Sequence, residues 1–113
     1  MFRPIFALLI AALPAGALAA SFNCARAAAP DERTICRERA LNDRDVRMAV
    51  LYGLDIRLVP MGSRDHIKDD QVAFLRHRRA CGANAACLSR IYDKRIAELQ
   101  AVIDTRVYPR GPF

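Results

Sequence analysis

Residues 41–59 read LNDRDVRMAVLYGLDIRLV and contain the clearest helical pattern in the chain. Its apolar side chains recur at steps of seven, four, four and three, in the order Leu41, Met48, Tyr52, Ile56 and Val59. This spacing is typical of one face of an α-helix, and we expect Val46, Val50 and Leu54 to widen that face. The sequence Pro-Met-Gly at residues 60–62 predicts the end of the helix.

The start of this central helix and the helix before it are predicted from capping signals. Asn42, with Asp45 three residues later, forms an approximate capping box and predicts the first turn of the central helix. Upstream, Pro30 is followed by two acids. The fixed φ of proline suits the first turn of a helix, and acidic side chains there interact favourably with the positive end of the helix dipole. A short helix over about residues 30–39 is therefore expected.

Two longer helices are predicted after the central one. Ser63 is the expected cap of a helix over about residues 64–81, which Gly82 ends, and Asn84 is the expected cap of a last helix that reaches about residue 104. The tail from about residue 105 is expected to be flexible, because its prolines cannot continue a helix. No stretch predicts a strand. The predicted fold is all-α: a small disulfide-stapled bundle of three longer antiparallel helices plus a short N-terminal helix.

Residues 1–20 have the layout of a secretory signal peptide, with one charge, an apolar run and small residues at the end. The Ala-Leu-Ala sequence at residues 17–19 predicts cleavage after Ala19 or Ala20. A membrane anchor is disfavoured, because the unbroken apolar run is shorter than the roughly 20 residues that span a bilayer. We therefore expect a mature domain over residues 21–113 that is periplasmic or secreted, with no membrane span after cleavage.

The four cysteines, Cys24, Cys36, Cys81 and Cys87, are the second indication of export. In an oxidising compartment, disulfides stabilise domains whose cores are small. Local pairing, Cys24 with Cys36 and Cys81 with Cys87, is favoured because a tight corner after Gly82 would bring the second pair into range. Pairing of Cys24 with Cys87 and of Cys36 with Cys81 stays open. The spacing does not fit the close cysteine pairs of a zinc site, so no metal is expected.

The chain is basic, with 18 Lys and Arg against 12 Asp and Glu and a net charge of +6. The run RHRR gives a candidate basic binding patch, Arg76, Arg78 and Arg79, for an anionic envelope glycan, a lipid or an acidic protein partner. The alternative interpretation is a charged face near a helix C-terminus, with Asp45 or Asp93 as the partner of Arg78. Nucleic acid is not an expected partner, because an exported domain seldom meets it.

No catalytic group is predicted, and no enzymatic activity or cofactor is expected. His66 and His77 are 11 residues apart, roughly 16 Å along a helix axis, which is too far for joint ligation or proton transfer. The chain has no serine in a nucleophile-elbow sequence and no glycine-rich phosphate loop.

A further set of residues, taken in order along the chain, matches the pattern of a known family. They are Phe22-Asn23-Cys24, Glu32, Ile35-Cys36, Leu41, Asp45, Tyr52, Gln71, Arg78, Cys81, Cys87-Leu88, Tyr92, Arg95-Ile96 and Leu99. They resemble the family named after the N-terminal domain of the lysozyme inhibitor LprI, whose members are small exported four-cysteine helical proteins. The resemblance covers nearly all of the mature chain. Two positions depart from it: Phe74 stands where tryptophan is expected, and Arg44 where an apolar residue is usual.

The resemblance implies a protein-binding module, with lysozyme or another envelope protein as the partner. An inhibitor of lysozyme blocks a cleft that is lined by two carboxylates, and arginine side chains suit such a cleft. Animal lysozymes are basic, so a basic inhibitor meets long-range repulsion, which the acidic group Asp65, Asp69 and Asp70 could offset. The alternative interpretation of those acids is a solvated helix N-terminus.

Overall fold

The computed structural model describes residues 20–110, which form helices and turns without a strand. The helices are α1 (Pro30–Arg37), α2 (Arg39–Leu58), α3 (Met61–Cys81) and α4 (Ala85–Val102), and a 3₁₀ turn at Cys24–Arg26 precedes them. Short connections make α2, α3 and α4 antiparallel neighbours. The predicted all-α bundle of three longer helices plus a short N-terminal helix is confirmed. The predicted signal peptide lies, apart from Ala20, outside the described residues.

Two of the predicted helix ends are confirmed in detail. Gly82 adopts a φ of 55°, a conformation that favours glycine, directly after α3. The Asn84 side-chain oxygen accepts a hydrogen bond from the backbone N–H of Cys87 at 2.9 Å, as an N-cap does. Together they make the tight corner between α3 and α4.

The other two predicted caps, Asn42 and Ser63, are wrong. Glu38 has an extended backbone conformation that separates α1 from α2. The second helix therefore begins at Arg39, and Asn42 is buried inside it. Likewise α3 begins at Met61, and the Ser63 hydroxyl instead accepts a hydrogen bond from Arg106 Nη1 at 3.1 Å. In both cases the helix starts where the preceding backbone turns, before a polar side chain could cap it.

The C-terminal segment extends the helical path further than predicted. A π-helical turn at Ile103–Val107 follows α4, and a 3₁₀ turn at Tyr108–Arg110 follows that. Val107 is buried. The helical path therefore continues past the predicted end of the last helix near residue 104. A proline is compatible with so short a turn, whose first N–H groups need no helical partner.

Both disulfides have the favoured local pairing. Cys24 bonds to Cys36 with their Cα atoms 5.7 Å apart, and Cys81 bonds to Cys87 with their Cα atoms 5.6 Å apart. The first joins the N-terminal 3₁₀ turn to α1, and the second joins the ends of α3 and α4 across the Gly82 corner. The alternative pairing is thereby excluded.

The core lies between the long helices and under α1. Leu41, Met48 and Val59 are buried as predicted, with Tyr52 and Ile56 packed against them. At the centre the rings of Phe74 and Tyr92 meet edge to face, with centroids 5.2 Å apart. The prediction that three more apolar residues of α2 widen this face is wrong, because they are 41–57% exposed: Val46, Val50 and Leu54.

Candidate functional site

The inward face of each long helix carries polar residues at positions that heptad spacing assigns to the core. On α2 the face follows alternating steps of four and three, in the order Leu41, Asp45, Met48, Tyr52, Asp55 and Val59. The same spacing gives Ile67, Gln71, Phe74, Arg78 and Cys81 on α3, and Leu88, Tyr92, Arg95, Leu99 and Val102 on α4. The five charged or amide members of these sets are all buried. Polar side chains therefore occupy core positions of the bundle alongside apolar ones.

Asp45 is the centre of the first polar cluster. Its side chain is fully buried and accepts a 2.7 Å hydrogen bond from the Tyr92 hydroxyl. Its other carboxylate oxygen accepts a hydrogen bond from the backbone N–H of Ser21, so the N-terminal segment is tied to α2. Burial, and then the neighbouring Asp45 carboxylate, raise the pKa of Tyr92, which keeps its hydroxyl a donor.

Arg78 is buried in the same region and does not belong to a surface patch. Its Nε donates to Asp31 of α1 at 2.8 Å, and its other nitrogens lie 3.8 Å from Glu32 and 4.0 Å from Asp45. Its guanidinium carbon lies 5.2 Å from the centroid of the Phe22 ring, a cation–π contact. The main partner, Asp31, was not predicted.

The second polar cluster lies further along the bundle, around Arg95. Arg95 Nε donates to the Gln71 side-chain oxygen at 3.0 Å, and Arg95 Nη2 donates to the Ile67 carbonyl at 3.2 Å. The Gln71 amide in turn contacts the Met48 sulfur at 3.2 Å. These contacts join all three long helices, which makes Arg95 a structural residue.

Asp55 differs from the other buried acids because its carboxylate has no hydrogen-bond partner among residues 20–110. It is fully buried near the α2–α3 connection, and the Nε of Arg64 on α3 is likewise buried without a partner there. Burial raises the pKa of Asp55 to about 6, although the charge of Arg95 acts in the opposite direction. The bundle end that contains this connection is called the loop end below.

The opposite end of the bundle is strongly basic at its surface. Here α2 begins, α3 ends and α4 begins, and α1 lies against it through the Asp31–Arg78 pair. Residues 20–40 and 76–90 carry seven exposed arginines, here called the basic end: Arg26, Arg33, Arg37, Arg39, Arg76, Arg79 and Arg90. The exposed acid in those segments is Glu38, and none of the seven arginines has an ion-pair partner among the described residues.

The predicted patch is thus partly kept and partly corrected. Arg76 and Arg79 are exposed and belong to the basic end, whereas Arg78 is 6% exposed and points inward, because heptad spacing places it on the core face of α3. The arginines contributed by α1 and by the start of α2 were not predicted. They are scattered in sequence, and only the antiparallel topology brings them to one end.

The loop end has no such excess of one sign. Residues 57–70 and 98–106 carry four basic and five acidic side chains, histidine aside. The predicted acidic group, Asp65, Asp69 and Asp70, is exposed in this region, alongside Lys68. The negative charge of this group is therefore largely offset by the basic side chains around it.

The two histidines do not form a site together. His77 lines a groove between α3 and α4 of about 260 Å³, with Asp70, Lys94 and Glu98 among its neighbours, and His66 does not line it. No group of three or more His, Cys, Asp or Glu side chains suited to a metal occurs within residues 20–110. In the same part of the chain, no helix is long and apolar enough to cross a membrane.

Comparisons with protein-family models, with curated proteins and with solved structures give no match for this chain.

Proposed function

We propose that this protein is an exported binding module whose basic end binds an anionic component of the cell envelope, either a glycan or a lipid surface. The single observation that carries the proposal is the seven exposed arginines at one end of the bundle, with one exposed acid in the same segments. Charge of one sign that is concentrated on one surface attracts an oppositely charged partner and speeds its encounter.

The arrangement of these arginines favours an extended partner over a small molecule. They stand on five elements, the N-terminal 3₁₀ turn and all four α-helices, and two disulfides at the same end hold these elements in place. Arginine also binds phosphate and carboxylate groups in a bidentate manner, which suits a polymer with repeated anionic groups. Arg78 is buried and its charge is paired inside the protein, whereas the exposed arginines can contact a partner.

Matched charge variants test the proposal. The variant Arg33→Gln/Arg37→Gln/Arg39→Gln removes three charges from the basic end, and Arg57→Gln/Lys68→Gln/Arg106→Gln removes three from the rest of the surface. The probes are phosphatidylglycerol vesicles and an immobilised acidic glycan, each measured at two salt concentrations. We expect the first variant to bind about 100-fold more weakly than the unaltered protein, at about 1 kcal/mol for each basic side chain near an anionic surface. We expect the control variant to change binding much less.

Equal losses in the two variants would mean that net charge alone drives binding, and binding that ignores salt would contradict the proposal. Preference for one of the two probes tells a lipid surface from a glycan.

Lysozyme inhibition is the second candidate function, as the family resemblance implies. The exposed arginines favour it in one respect, because a glycosidase cleft carries two carboxylates that a guanidinium can pair with. The overall positive charge opposes it for basic lysozymes.

Lysis of a cell-wall suspension by several lysozyme classes, with and without oxidised residues 21–113, tests this candidate. A soluble oligosaccharide substrate is measured in parallel. Inhibition with both substrates that is lost on reduction supports binding to the enzyme, whereas protection of cell walls alone means that the module coats the substrate. Full activity of every lysozyme class with both substrates would contradict this second function.

A further inference from the structure

The contact between Ser21 and Asp45 lies next to the predicted end of the signal peptide. The nitrogen of Ser21 donates to the buried carboxylate of Asp45, across 24 residues of sequence. That nitrogen belongs to the peptide bond between Ala20 and Ser21, one of the two bonds at which cleavage is predicted. The Ser21 residue as a whole is exposed.

The buried charges around this contact do not balance. The side chains of Asp31 and Asp45 are both buried, and Glu32 is partly buried beside them. Arg78 is the buried cation in this cluster, and its short contact, 2.8 Å, goes to Asp31 rather than to Asp45, which lies 4.0 Å away. Asp45 therefore relies on two neutral donors, the Tyr92 hydroxyl and the Ser21 amide. A cationic donor adds an electrostatic attraction to a buried carboxylate that neutral donors lack.

We propose that leader peptidase cuts between Ala20 and Ser21, and that the new amino-terminal ammonium group of Ser21 forms an ion pair with the buried carboxylate of Asp45. In this hydrolysis water adds across the peptide bond: the Ala20 carbonyl carbon gains the hydroxyl group and leaves with the leader as a carboxylate. The Ser21 nitrogen gains the protons and becomes an ammonium ion. The missing cation is thus supplied at a position where a hydrogen bond already exists.

Processing and folding are then coupled. In the precursor the nitrogen of Ser21 is a neutral amide, and in the mature chain it carries the charge that Asp45 lacks. The groups that face this pair are the Tyr92 hydroxyl from α4, the Arg78 guanidinium from α3 and, through Arg78, the Asp31 carboxylate from α1. Among these, Asp45 is the group in direct contact with the Ser21 nitrogen, so its negative charge dominates and holds the proton on the amino group.

Two measurements on the exported, oxidised protein test the proposal. N-terminal sequencing with mass determination should give Ser21 as the first residue. Amine acylation at pH 7 then reports the pairing, because a free α-amino group normally titrates near 8 and reacts well before lysine. We expect the folded chain to acylate at its α-amino group roughly tenfold or more slowly than the reduced, unfolded chain, since a pKa raised by one unit removes nine-tenths of the neutral amine. Lys68 and Lys94, both exposed, are internal controls for the reagent.

Two variants keep the test decisive. Asp45→Asn should restore ordinary α-amino reactivity at pH 7. If that variant does not fold, a chain that begins at Ala20 serves instead, because its amino group is displaced by one residue from Asp45 and should react at the ordinary rate. A mature chain that begins at another residue would overturn the proposal, and so would a Ser21 amino group that reacts in the folded protein as fast as in the unfolded one.

Discussion

The two ends of the bundle bury charges in opposite ways. At the basic end, Arg78 and Asp31 form a 2.8 Å ion pair and Asp45 accepts from Tyr92, and both disulfides lie in the same region. At the loop end, Asp55 and the Nε of Arg64 are buried without partners among the described residues, and no disulfide is present there.

This difference shows that burying a charge does not by itself stabilise a helix bundle. An ion pair whose hydrogen bonds are satisfied fixes which helices meet, whereas a carboxylate without a partner costs free energy for as long as it stays ionised. The basic end should therefore determine the register of the helices, and the loop end should be the less stable of the two. The following predictions test that contrast, in order of decreasing effect.

The largest effect is expected from loss of the buried cation. Arg78→Leu leaves the Asp31 carboxylate buried without its partner, and we expect it to lower the free energy of unfolding by about 3–5 kcal/mol. Denaturant unfolding followed by circular dichroism measures this. The control is Arg79→Leu, an exposed neighbour on the same helix, which should change stability by no more than about 0.5 kcal/mol. Equal losses in the two variants would show that the buried pair has no special role.

Removal of the disulfides should have the next largest effect. On the chain-entropy account, Cys24→Ser/Cys36→Ser should cost roughly 3 kcal/mol and Cys81→Ser/Cys87→Ser roughly 2 kcal/mol, because the first closes the longer loop. Thermal unfolding of the two double variants measures both losses. A larger loss from the second pair would mean that the α3–α4 corner, rather than loop length, sets the stability of this end.

At the loop end the predicted effect depends on pH. Because burial raises the pKa of Asp55 to about 6 from 3.8, the folded state holds this proton more tightly than the unfolded state. The contribution of Asp55 to stability is therefore fully present below about pH 4 and is lost as the pH rises through about 6, a change of roughly 2–3 kcal/mol.

Asp55→Asn should remove this pH dependence and make the protein more stable than the unaltered chain at pH 7. Urea unfolding at a series of pH values from 4 to 7.5 measures it. The control Asp43→Asn changes an exposed acid on the same helix and should keep the slope. A slope that is unaltered by Asp55→Asn would mean that this carboxylate finds a partner in solution.

The smallest effect compares two caps. Asn84→Ala removes the hydrogen bond to the Cys87 N–H and should cost about 1 kcal/mol. Ser63→Ala should cost much less, because Ser63 does not cap α3 and only accepts an exposed bond from Arg106. Chemical denaturation of both variants decides it. A larger loss for Ser63→Ala would place more of the stability at the loop end than we infer.

The sequence predicts the fold far better than it predicts the polar interior. Gly82, Asn84 and the cysteine spacing are local signals, and each acts within a few residues, so the helix ends near them and the disulfides are predictable. Asp45 and Asp55 are not found by a search for apolar periodicity, because they are acids at positions where that search expects apolar side chains. The signal that could have revealed them is the alternating spacing of four and three along α2, which both residues obey.

The candidate site is predictable only in part, for a related physical reason. The run at residues 76–79 attracts attention because its charges are adjacent in sequence, yet adjacent residues of a helix face different directions. Arg78 therefore enters the core while Arg79 stays in solvent. Arg33 and Arg37 join the same end through tertiary structure, which no local pattern reports.

The order of the two disulfides has a consequence for how the protein is made. The bonds join the first cysteine to the second and the third to the fourth, with sequence separations of 12 and 6 residues. A chain that enters an oxidising compartment amino terminus first presents each native partner directly after the cysteine that needs it. An oxidase that pairs thiols in order of emergence therefore produces the native connectivity at once, with no need to reshuffle disulfides by thiol exchange.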